Sequence, residues 1–317
     1  MSKILNFNSY NASKKLSVLS VIEDREYFLW QQEVQCFHME ENFKHLKLEV
    51  VILHETEEPS LWAKKLAERF NVSTYKIVNE STEKYKAQFK PLGTYLRIND
   101  SLKPKLENVL AIDSDVILNK NIDYHTLLES NSWKMSDCSS YLNYDYLKKN
   151  LTDEQITQLG NIVGITLDEI KSMTKVGGAQ YIYTNVAENK DIFKKMSEDS
   201  VKMYSLLYEF EKKGSKIQKW TAEMWSQAWN IYKSHEYIVE KDSMSFAWAT
   251  TPLSEKNKHA FTHFAGSPQE EGTFKKTKHS GNIFKEDLKY VTYKENCSYH
   301  WYTLIERYRD KSIGFNL

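Results

Sequence analysis

Short apolar runs alternate with segments of helical periodicity over the first 118 residues of the chain. The run at 16–22 is followed by Tyr27, Trp30, Val34 and Phe37, which recur at intervals of three and four residues. Residues at that spacing share one helix face, so a strand that leads into a helix is predicted. The order repeats, with strands predicted at 48–53, 74–78 and 109–112 and helices at 61–70 and 84–106, the latter with a break at Lys103-Pro104. This alternation predicts an α/β fold whose mostly parallel sheet is covered by helices on both faces.

The remaining residues continue the pattern less regularly. A polar, helical region is predicted at 133–174, followed by a strand at 178–183. Two more helices follow, one stopped by Gly214 and one over 220–233. The rest of the chain has few strand signals and is predicted to close over the sheet. No repeat or linker divides the sequence, so we expect one large domain over residues 1–317.

Lysine plus arginine and aspartate plus glutamate each total 43, which leaves no net charge. A neutral chain lacks the field that attracts a polyanion, which disfavours a globally basic nucleic-acid binder. Hydrophobic residues at 41% and charged residues at 27% are typical of a soluble globular protein. The 10 glycines and 5 prolines are too few for a sandwich of many short strands.

The sequence also bears on location and redox state. It has no apolar stretch of roughly 18 residues, and its start is too polar for a secretory signal. We therefore expect a cytoplasmic protein without a transmembrane segment. Cys36, Cys138 and Cys297 lie far apart in no zinc-binding pattern, so we expect buried, reduced thiols.

The acidic tripeptide Asp113-Ser114-Asp115 directly follows the predicted strand at 109–112. Ligands bind beyond the carboxyl ends of strands in an open parallel sheet, so both carboxylates are predicted to face that crevice. Residues two apart on an extended segment share a face, which lets Asp113 and Asp115 approach one divalent cation. Carboxylate oxygens suit Mg²⁺ or Mn²⁺, and such an ion keeps positions open for phosphate oxygens. The simpler interpretation is a solvated turn.

The sequence around this tripeptide resembles a known family. Tyr95, Arg97, Leu102 and Pro104, followed by the run 107–118, are similar to a block of the retaining nucleotide-sugar glycosyltransferases. That group contains glycogenin and the bacterial lipopolysaccharide glucosyl- and galactosyltransferases. The resemblance implies the GT-A fold, a Rossmann-like arrangement with one mostly parallel central sheet.

Two later segments agree with the family in order and spacing. The segment 177–181 occupies the place of the family's glycine-containing strand, where small residues let a sugar approach the backbone. His263 and Gly266 resemble its carboxy-terminal His-x-x-Gly motif, whose histidine is the third metal ligand. Imidazole beside two carboxylates favours Mn²⁺ over Mg²⁺. The implied metal ligands are Asp113, Asp115 and His263.

The resemblance also implies roles for other residues. A metal ion would bridge the phosphates of a nucleotide-diphosphate sugar, expected to be a UDP-sugar, and neutralise the charge that develops as the bond to phosphate breaks. Asp115 would be the more direct ligand, Asp113 would share the ion or contact the ribose, and Arg97 would help to hold the acidic pair. The catalytic candidates are Glu223 and Gln180, and Gln227 faces the same way as Glu223. The expected donor contacts are Val21, Glu23, Asp24, Arg97, Asp113, Ser114, Gly178 and Gly266.

The chain departs from the family at one position. Gln269 stands where family members carry a lysine that grips the diphosphate, and Lys275, Lys276 or Lys278 could substitute. The family layout implies a nucleotide-binding half at 16–125, an acceptor-side half that completes the metal site at 126–270, and a closing segment at 271–317.

Other interpretations stay open. A haloacid-dehalogenase-like phosphotransferase would use Asp113 as nucleophile, although that motif normally opens its domain. Sugar-1-phosphate nucleotidyltransferases need a glycine-rich loop, and residues 20–27 contain no glycine. A non-catalytic carbohydrate-binding module would use the aromatic residues alone. The acceptor is not specified by the sequence and could be a glycan, a lipid-linked sugar, a protein or a modified nucleic-acid base, and retention is not fixed by it either.

Overall fold

The computed structural model describes residues 15–78, 85–120, 123, 127–266 and 268–312. Its first half confirms the predicted alternation of strands and helices. The elements are β1 (Leu16–Glu23), α1 (Glu26–Asn42), β2 (Lys47–His54), α2 (Leu61–Arg69), β3 (Val72–Lys76), α3 (Phe89–Asn99), β4 (Asn108–Ala111) and β5 (Val116–Leu118). Helix α2 begins after Ser60, whose hydroxyl accepts a hydrogen bond from the Ala63 N–H.

Helix α3 is shorter than the helix predicted at 84–106. The Asp100 backbone is extended, and its carboxylate accepts hydrogen bonds from the Leu102 N–H at 2.9 Å and the Tyr75 hydroxyl at 2.8 Å. An aspartate that binds the backbone two residues ahead offers an alternative to the helix. The helix therefore ends at Asn99, before the chain reaches Pro104.

The second half of the chain adds both helices and strands. Its elements are β6 (Trp133–Asp137), α4 (Ser139–Leu142), α5 (Tyr144–Lys148), α6 (Asp153–Val163), α7 (Leu167–Ser172), β7 (Gly177–Tyr183), α8 (Lys190–Lys212), α9 (Ala222–Ser234), β8 (Tyr237–Glu240), β9 (Phe246–Trp248), β10 (Phe261–His263) and α10 (Cys297–Ser312). The region predicted as helical at 133–174 thus opens with a strand, β6. Gly214 adopts a φ of 98° just beyond α8, in agreement with its predicted role as a helix stop.

Seven strands form the central sheet in the order β3-β2-β1-β4-β7-β6-β8. Strand β7 runs antiparallel to β4 and β6, and the other pairs are parallel, which confirms the mostly parallel sheet. Residues of β1 alternate between its faces: Val18 packs with α1 and β5, and Leu19 packs with α3 and α8. The sheet is therefore covered on both sides, as predicted.

A second sheet decides the position of the last predicted metal ligand. It has the order β5-β10-β9, with His263 opposite both Val116 and Trp248. Strand β10 has three residues and was not predicted, because so short a run carries no periodicity. This pairing brings the chain around residue 263 to the end of the acidic tripeptide.

Two further expectations concern the three cysteines and membrane-spanning helices. The three cysteines are free and buried, as predicted. Within the described ranges, no helix combines the length and the apolar composition that a membrane crossing requires.

Candidate metal site and cleft

Asp113, Asp115 and His263 come together beyond the end of β4. One ligand atom from each lies within 4.8 Å of the others. The His263 Nε2 atom is 3.8 Å from Asp113 Oδ2 and 3.4 Å from Asp115 Oδ1. Asp115 and His263 are buried and Asp113 is half-buried. The structure thus brings together the three residues predicted as metal ligands.

The backbone around the acidic pair is braced from two directions. The Phe264 N–H donates to the Asp115 carbonyl at 2.9 Å, which continues the pairing of β10 with β5. From α1, the Gln35 side-chain amide donates to the Asp113 carbonyl at 2.7 Å and to the Val116 carbonyl at 2.6 Å. Gln35 was not predicted, because a glutamine on a helix carries no signal for a contact 78 residues away.

His263 is fixed by its neighbours. Its ring stacks on Trp248, with centroids 5.8 Å apart and an interplanar angle of 19°. Its Nδ1 atom lies 3.4 Å from the side-chain amide of Gln180, which also contacts the Ser136 hydroxyl at 2.7 Å. A histidine that ligates a metal through Nε2 carries its proton on Nδ1, so the Gln180 group that contacts Nδ1 in the metal-bound protein must be the amide oxygen, which accepts a hydrogen bond from Nδ1–H. Here Nε2 is the nitrogen that faces the two carboxylates.

Gln180, which was predicted to be catalytic, lies behind His263. Its side chain is completely buried between Ser136 and His263. Unlike Glu223, it does not line the cavity beside Asp113 that is described below. We assign Gln180 to the positioning of the His263 ring.

Each carboxylate of the pair is matched by a lysine. Lys90 Nζ lies 3.0 Å from Asp113 Oδ1 and 3.5 Å from Glu223 Oε2. Lys276 Nζ forms an ion pair and hydrogen bond with Asp115. Of the three lysines considered as substitutes for the family's diphosphate lysine, Lys276 is therefore the one in contact with the acidic pair.

Arg97, which was predicted to help hold the acidic pair, contacts other residues in the structure. Arg97 donates to Glu49 through Nε at 2.7 Å, forms an ion pair with it through Nη2 at 2.5 Å, and donates to the Pro104 carbonyl at 3.0 Å. These bonds occupy a guanidinium that is 2% exposed. Lys90, seven residues earlier in the same helix, is the residue of α3 whose charge contacts the acidic pair, at Asp113. The sequence signal for Lys90 was this i, i+7 spacing, which places both residues on one helix face.

A small cavity lies beside Asp113. It has a volume of about 30 Å³, enough for a water molecule or a hydroxyl group. The Tyr183 hydroxyl donates to Gln227 at 2.7 Å, and the Gln227 amide donates to Glu223. Among the described residues, the buried Tyr181 hydroxyl has no hydrogen-bond partner. The lining residues include Val21, Lys90, Asp113, Tyr181, Tyr183, Glu223 and Gln227.

Glu223 is the most strongly perturbed carboxyl group in this cavity. Burial raises its pKa from 4.5 to about 7, although Lys90 acts in the opposite direction. The group therefore titrates near neutral pH, where a carboxyl can either donate or accept a proton. The prediction that Glu223 and Gln227 face the same way is confirmed, because both line the cavity.

We expect Glu223 to make the free energy of unfolding depend on pH. A carboxyl whose pKa is higher in the folded state stabilises that state below its unfolded pKa, and this contribution is lost as the pH rises through 7. Relative to Glu223→Gln, the wild type should lose about 3 kcal/mol between about pH 4 and pH 8. Urea unfolding of both proteins in the presence of a chelator measures this. A difference that is independent of pH would contradict the assignment.

The predicted donor contacts fall into two groups. Val21 lines the cavity and Ser114 is buried within the acidic tripeptide. Glu23 instead forms ion pairs with Arg25 and Lys86, at 3.7 and 3.4 Å. The Asp24 carboxylate accepts from the Ser60 N–H at 2.6 Å and the Ser60 hydroxyl at 2.5 Å. Glu23 and Asp24 thus already bind groups of the protein itself.

The two predicted glycines differ in their surroundings. A Cβ at Gly178 would lie 2.6 Å from Met224 Cε, so the space over this residue is filled by α9. The absence of a side chain there lets α9 pack closely against β7. Gly266 is exposed, with a φ of 88° and open space around it. It lets the chain turn directly after the strand that carries His263.

Comparisons with known proteins return matches among solved structures. The chain is similar to the galactosyltransferase LgtC in complex with donor and acceptor sugar analogs, with 12% identity, 92% of this chain and 95% of that chain covered, and a TM-score of 0.46. The bifunctional glycosyltransferase WbbM matches at 14% identity over 80% of this chain, with a TM-score of 0.43, and this chain spans 46% of its length. The glycosyltransferase GlyE of Streptococcus pneumoniae TIGR4 matches at 12% identity over 95% of this chain and 64% of its own, with a TM-score of 0.42. No family model and no curated protein matches.

Proposed function

We propose that this chain is a metal-dependent glycosyltransferase that moves a hexose from a nucleotide-diphosphate sugar, expected to be a UDP-sugar, to an acceptor with retention. The observation that carries the proposal is the cluster of Asp113, Asp115 and His263 beyond the strand ends of a mostly parallel sheet. Two carboxylates and one imidazole form a donor set that suits Mn²⁺. Their mutual spacing, within 4.8 Å, is short enough for one ion to contact all three.

The residues around the cluster support a diphosphate ligand. A divalent ion bound here would act as a Lewis acid on the phosphate oxygens of the leaving group. Lys90 and Lys276 add two positive charges at the same place. The chain is neutral overall and these lysines are paired with the two aspartates, so the bound ion would supply the excess positive charge that attracts an anionic donor. We assign Asp113, Asp115 and His263 to the ion and Lys276 to the diphosphate.

The small cavity beside Asp113 would take one hydroxyl group of the donor sugar. Glu223 and Gln227 line it together with the unpartnered Tyr181 hydroxyl, so a hydroxyl group of a sugar would find both donors and acceptors there. The Glu223 carboxyl, with a pKa of about 7, is the group that we assign to proton transfer or charge stabilisation near the anomeric carbon.

We assign acceptor binding to the region 133–175. Within it, the Tyr141 ring packs edge-on against Trp248 at 6.2 Å, and Trp248 stacks on His263. This chain of rings connects the region to the metal ligands. We further propose that residues 1–317 form a single domain, with a nucleotide-binding half at 16–125 and an acceptor-side half at 126–270.

The alternatives are less well supported. A phosphotransferase that uses Asp113 as nucleophile has no need of an imidazole brought from β10 to the same place. A module that only binds carbohydrate has no need of a carboxylate pair with two lysines and a histidine. The cluster is accounted for by metal-assisted chemistry on a diphosphate.

Donor hydrolysis tests the proposal without knowledge of the acceptor. A panel of UDP-, GDP- and ADP-sugars is incubated with the protein and Mn²⁺, and the released nucleoside diphosphate is measured. We expect release from at least one UDP-sugar and its loss in a chelator. UDP with Mn²⁺ at about 100 times its dissociation constant should stabilise the fold by about 2.7 kcal/mol. Absence of both release and stabilisation would overturn the proposal.

A further inference from the structure

Lys276 occupies an oxygen of a candidate metal ligand. Its ammonium group is paired with Asp115 Oδ2, while Asp115 Oδ1 faces His263 at 3.4 Å. The side chain is only 15% exposed. Asp113 has a cation of its own, Lys90. The acidic pair is therefore already neutralised by two lysines of the chain.

Lys276 is held at this place by anchors on both sides of it. Phe274 packs edge-on against Trp30 of α1, at 6.4 Å, and is buried. His279 stacks on Phe274 at 5.2 Å and binds Glu286 at 2.5 Å and Tyr290 at 2.8 Å. The Trp30 indole N–H also donates to the His279 carbonyl at 3.1 Å. The segment 274–279 is thus fixed to the body of the protein, and its lysine cannot move far from the metal ligands.

Charge balance has a direct consequence for binding. Asp113 and Asp115 contribute two negative charges, and Lys90 and Lys276 contribute two positive charges. A divalent cation would raise these four side chains to a net charge of about plus two, with His263 neutral as a metal ligand must be, and the Glu223 carboxylate beside Lys90 would offset at most one of those charges. Unbalanced charge in a partly buried cluster is costly. A ligand with two negative charges would restore neutrality.

We propose that Lys276 is a resident counter-cation of the metal site, which leaves Asp115 when a divalent ion binds and then pairs with the anionic ligand of that ion. This inference rests on the proposed function. Metal and diphosphate should accordingly bind with positive cooperativity. The ion alone has to displace an ammonium group that stays nearby and repels it. When the diphosphate is present, the ammonium group pairs with the phosphate oxygens. It then stabilises the complex of ion and diphosphate, although it repels the ion alone.

The test measures Mn²⁺ affinity by calorimetry, with and without saturating UDP, in the wild type and in Lys276→Met. In the wild type, UDP should tighten Mn²⁺ binding by about 10-fold or more, within the usual 5- to 150-fold range of such couplings. In Lys276→Met, Mn²⁺ alone should bind about 10-fold more tightly, and the gain from UDP should shrink by a similar factor. Lys278→Met is the matched control, because Lys278 lies in the same single-turn 3-10 helix as Lys276, Lys276–Lys278, and is exposed.

The outcomes separate this inference from the function on which it rests. Equal Mn²⁺ affinity and equal UDP coupling in the wild type and Lys276→Met would overturn the exchange and leave the proposed function standing. Failure of every variant to bind Mn²⁺, with or without UDP, would overturn the proposed function. Lys276→Arg keeps the charge and should keep weak binding of Mn²⁺ alone. If Lys276→Met does not fold, Lys276→Gln replaces it, and tighter Mn²⁺ binding by the glutamine variant than by the arginine variant is required.

Discussion

Asp115→Asn is expected to abolish detectable Mn²⁺ binding and to lower donor hydrolysis by about 10³-fold, the upper end of what loss of one electrostatic stabiliser costs. Asp115 faces His263 and Lys276 at once, and its backbone carbonyl is held by Phe264. Asparagine keeps the shape of the side chain but removes its charge and one of its two carboxylate oxygens. The site would then hold one negative charge where the ion needs two. Calorimetry with Mn²⁺ and the release of nucleoside diphosphate measure the two effects.

Two comparisons make this result specific. Asp242→Asn removes an exposed carboxylate in the turn between β8 and β9 and should change neither measurement. His263→Gln should weaken Mn²⁺ binding less than Asp115→Asn does, because it removes a neutral ligand. If Asp115→Asn bound Mn²⁺ as tightly as the wild type, the metal site would have to lie elsewhere in the chain.

Arg97→Met is expected to lower the free energy of unfolding by about 3–5 kcal/mol, the range for breaking a buried ion pair from one side. Glu49, which Arg97 binds, is 5% exposed, and among the described residues it would keep only Lys47 as a cationic partner, at 2.9 Å, whose own side chain is 52% exposed. The Pro104 carbonyl would also lose a donor. Urea unfolding measures the loss, and Mn²⁺ affinity should stay within about twofold of the wild type.

The double variant Arg97→Met with Glu49→Met tests the physical reason. Replacement of both partners by apolar side chains removes the unpaired charge, so the double variant should recover most of the lost stability. Were Mn²⁺ affinity instead to fall tenfold or more in Arg97→Met, the arginine would belong to the metal site after all, as the family resemblance implies.

Much of the fold followed from local pattern. The apolar runs that became β1, β2 and β4 are continuous and buried on both faces, and strands of that kind are readable from a single sequence. The length of helix α3 was overestimated because its end depends on the Asp100 carboxylate, which accepts a hydrogen bond from Tyr75 of strand β3. Strand β10 was missed because three residues show no period.

The candidate site likewise combines features that the sequence predicted with contacts that it did not. The position of Asp113 and Asp115 after a buried strand follows from the chain itself, because a strand end fixes what comes next. The partners of Arg97 and Gln180 did not follow from the sequence, because a resemblance to a family does not say which group a buried side chain contacts. Arg97 pairs with Glu49, 48 residues away, and the Gln180 side-chain amide contacts the Nδ1 atom of His263.

The alternation of strands and helices, and with it the place of the acidic pair at the crevice, was determined by the sequence alone. These features depend on contacts within a few residues, where periodicity and strand ends are visible. Only the tertiary structure decided that Lys90 and Lys276 neutralise the pair and that Gln35 braces it. Lys276 lies 161 residues from Asp115, and its position depends on how Phe274 packs against α1. An ion pair of that kind forms only after the folded core has brought both charges to one place.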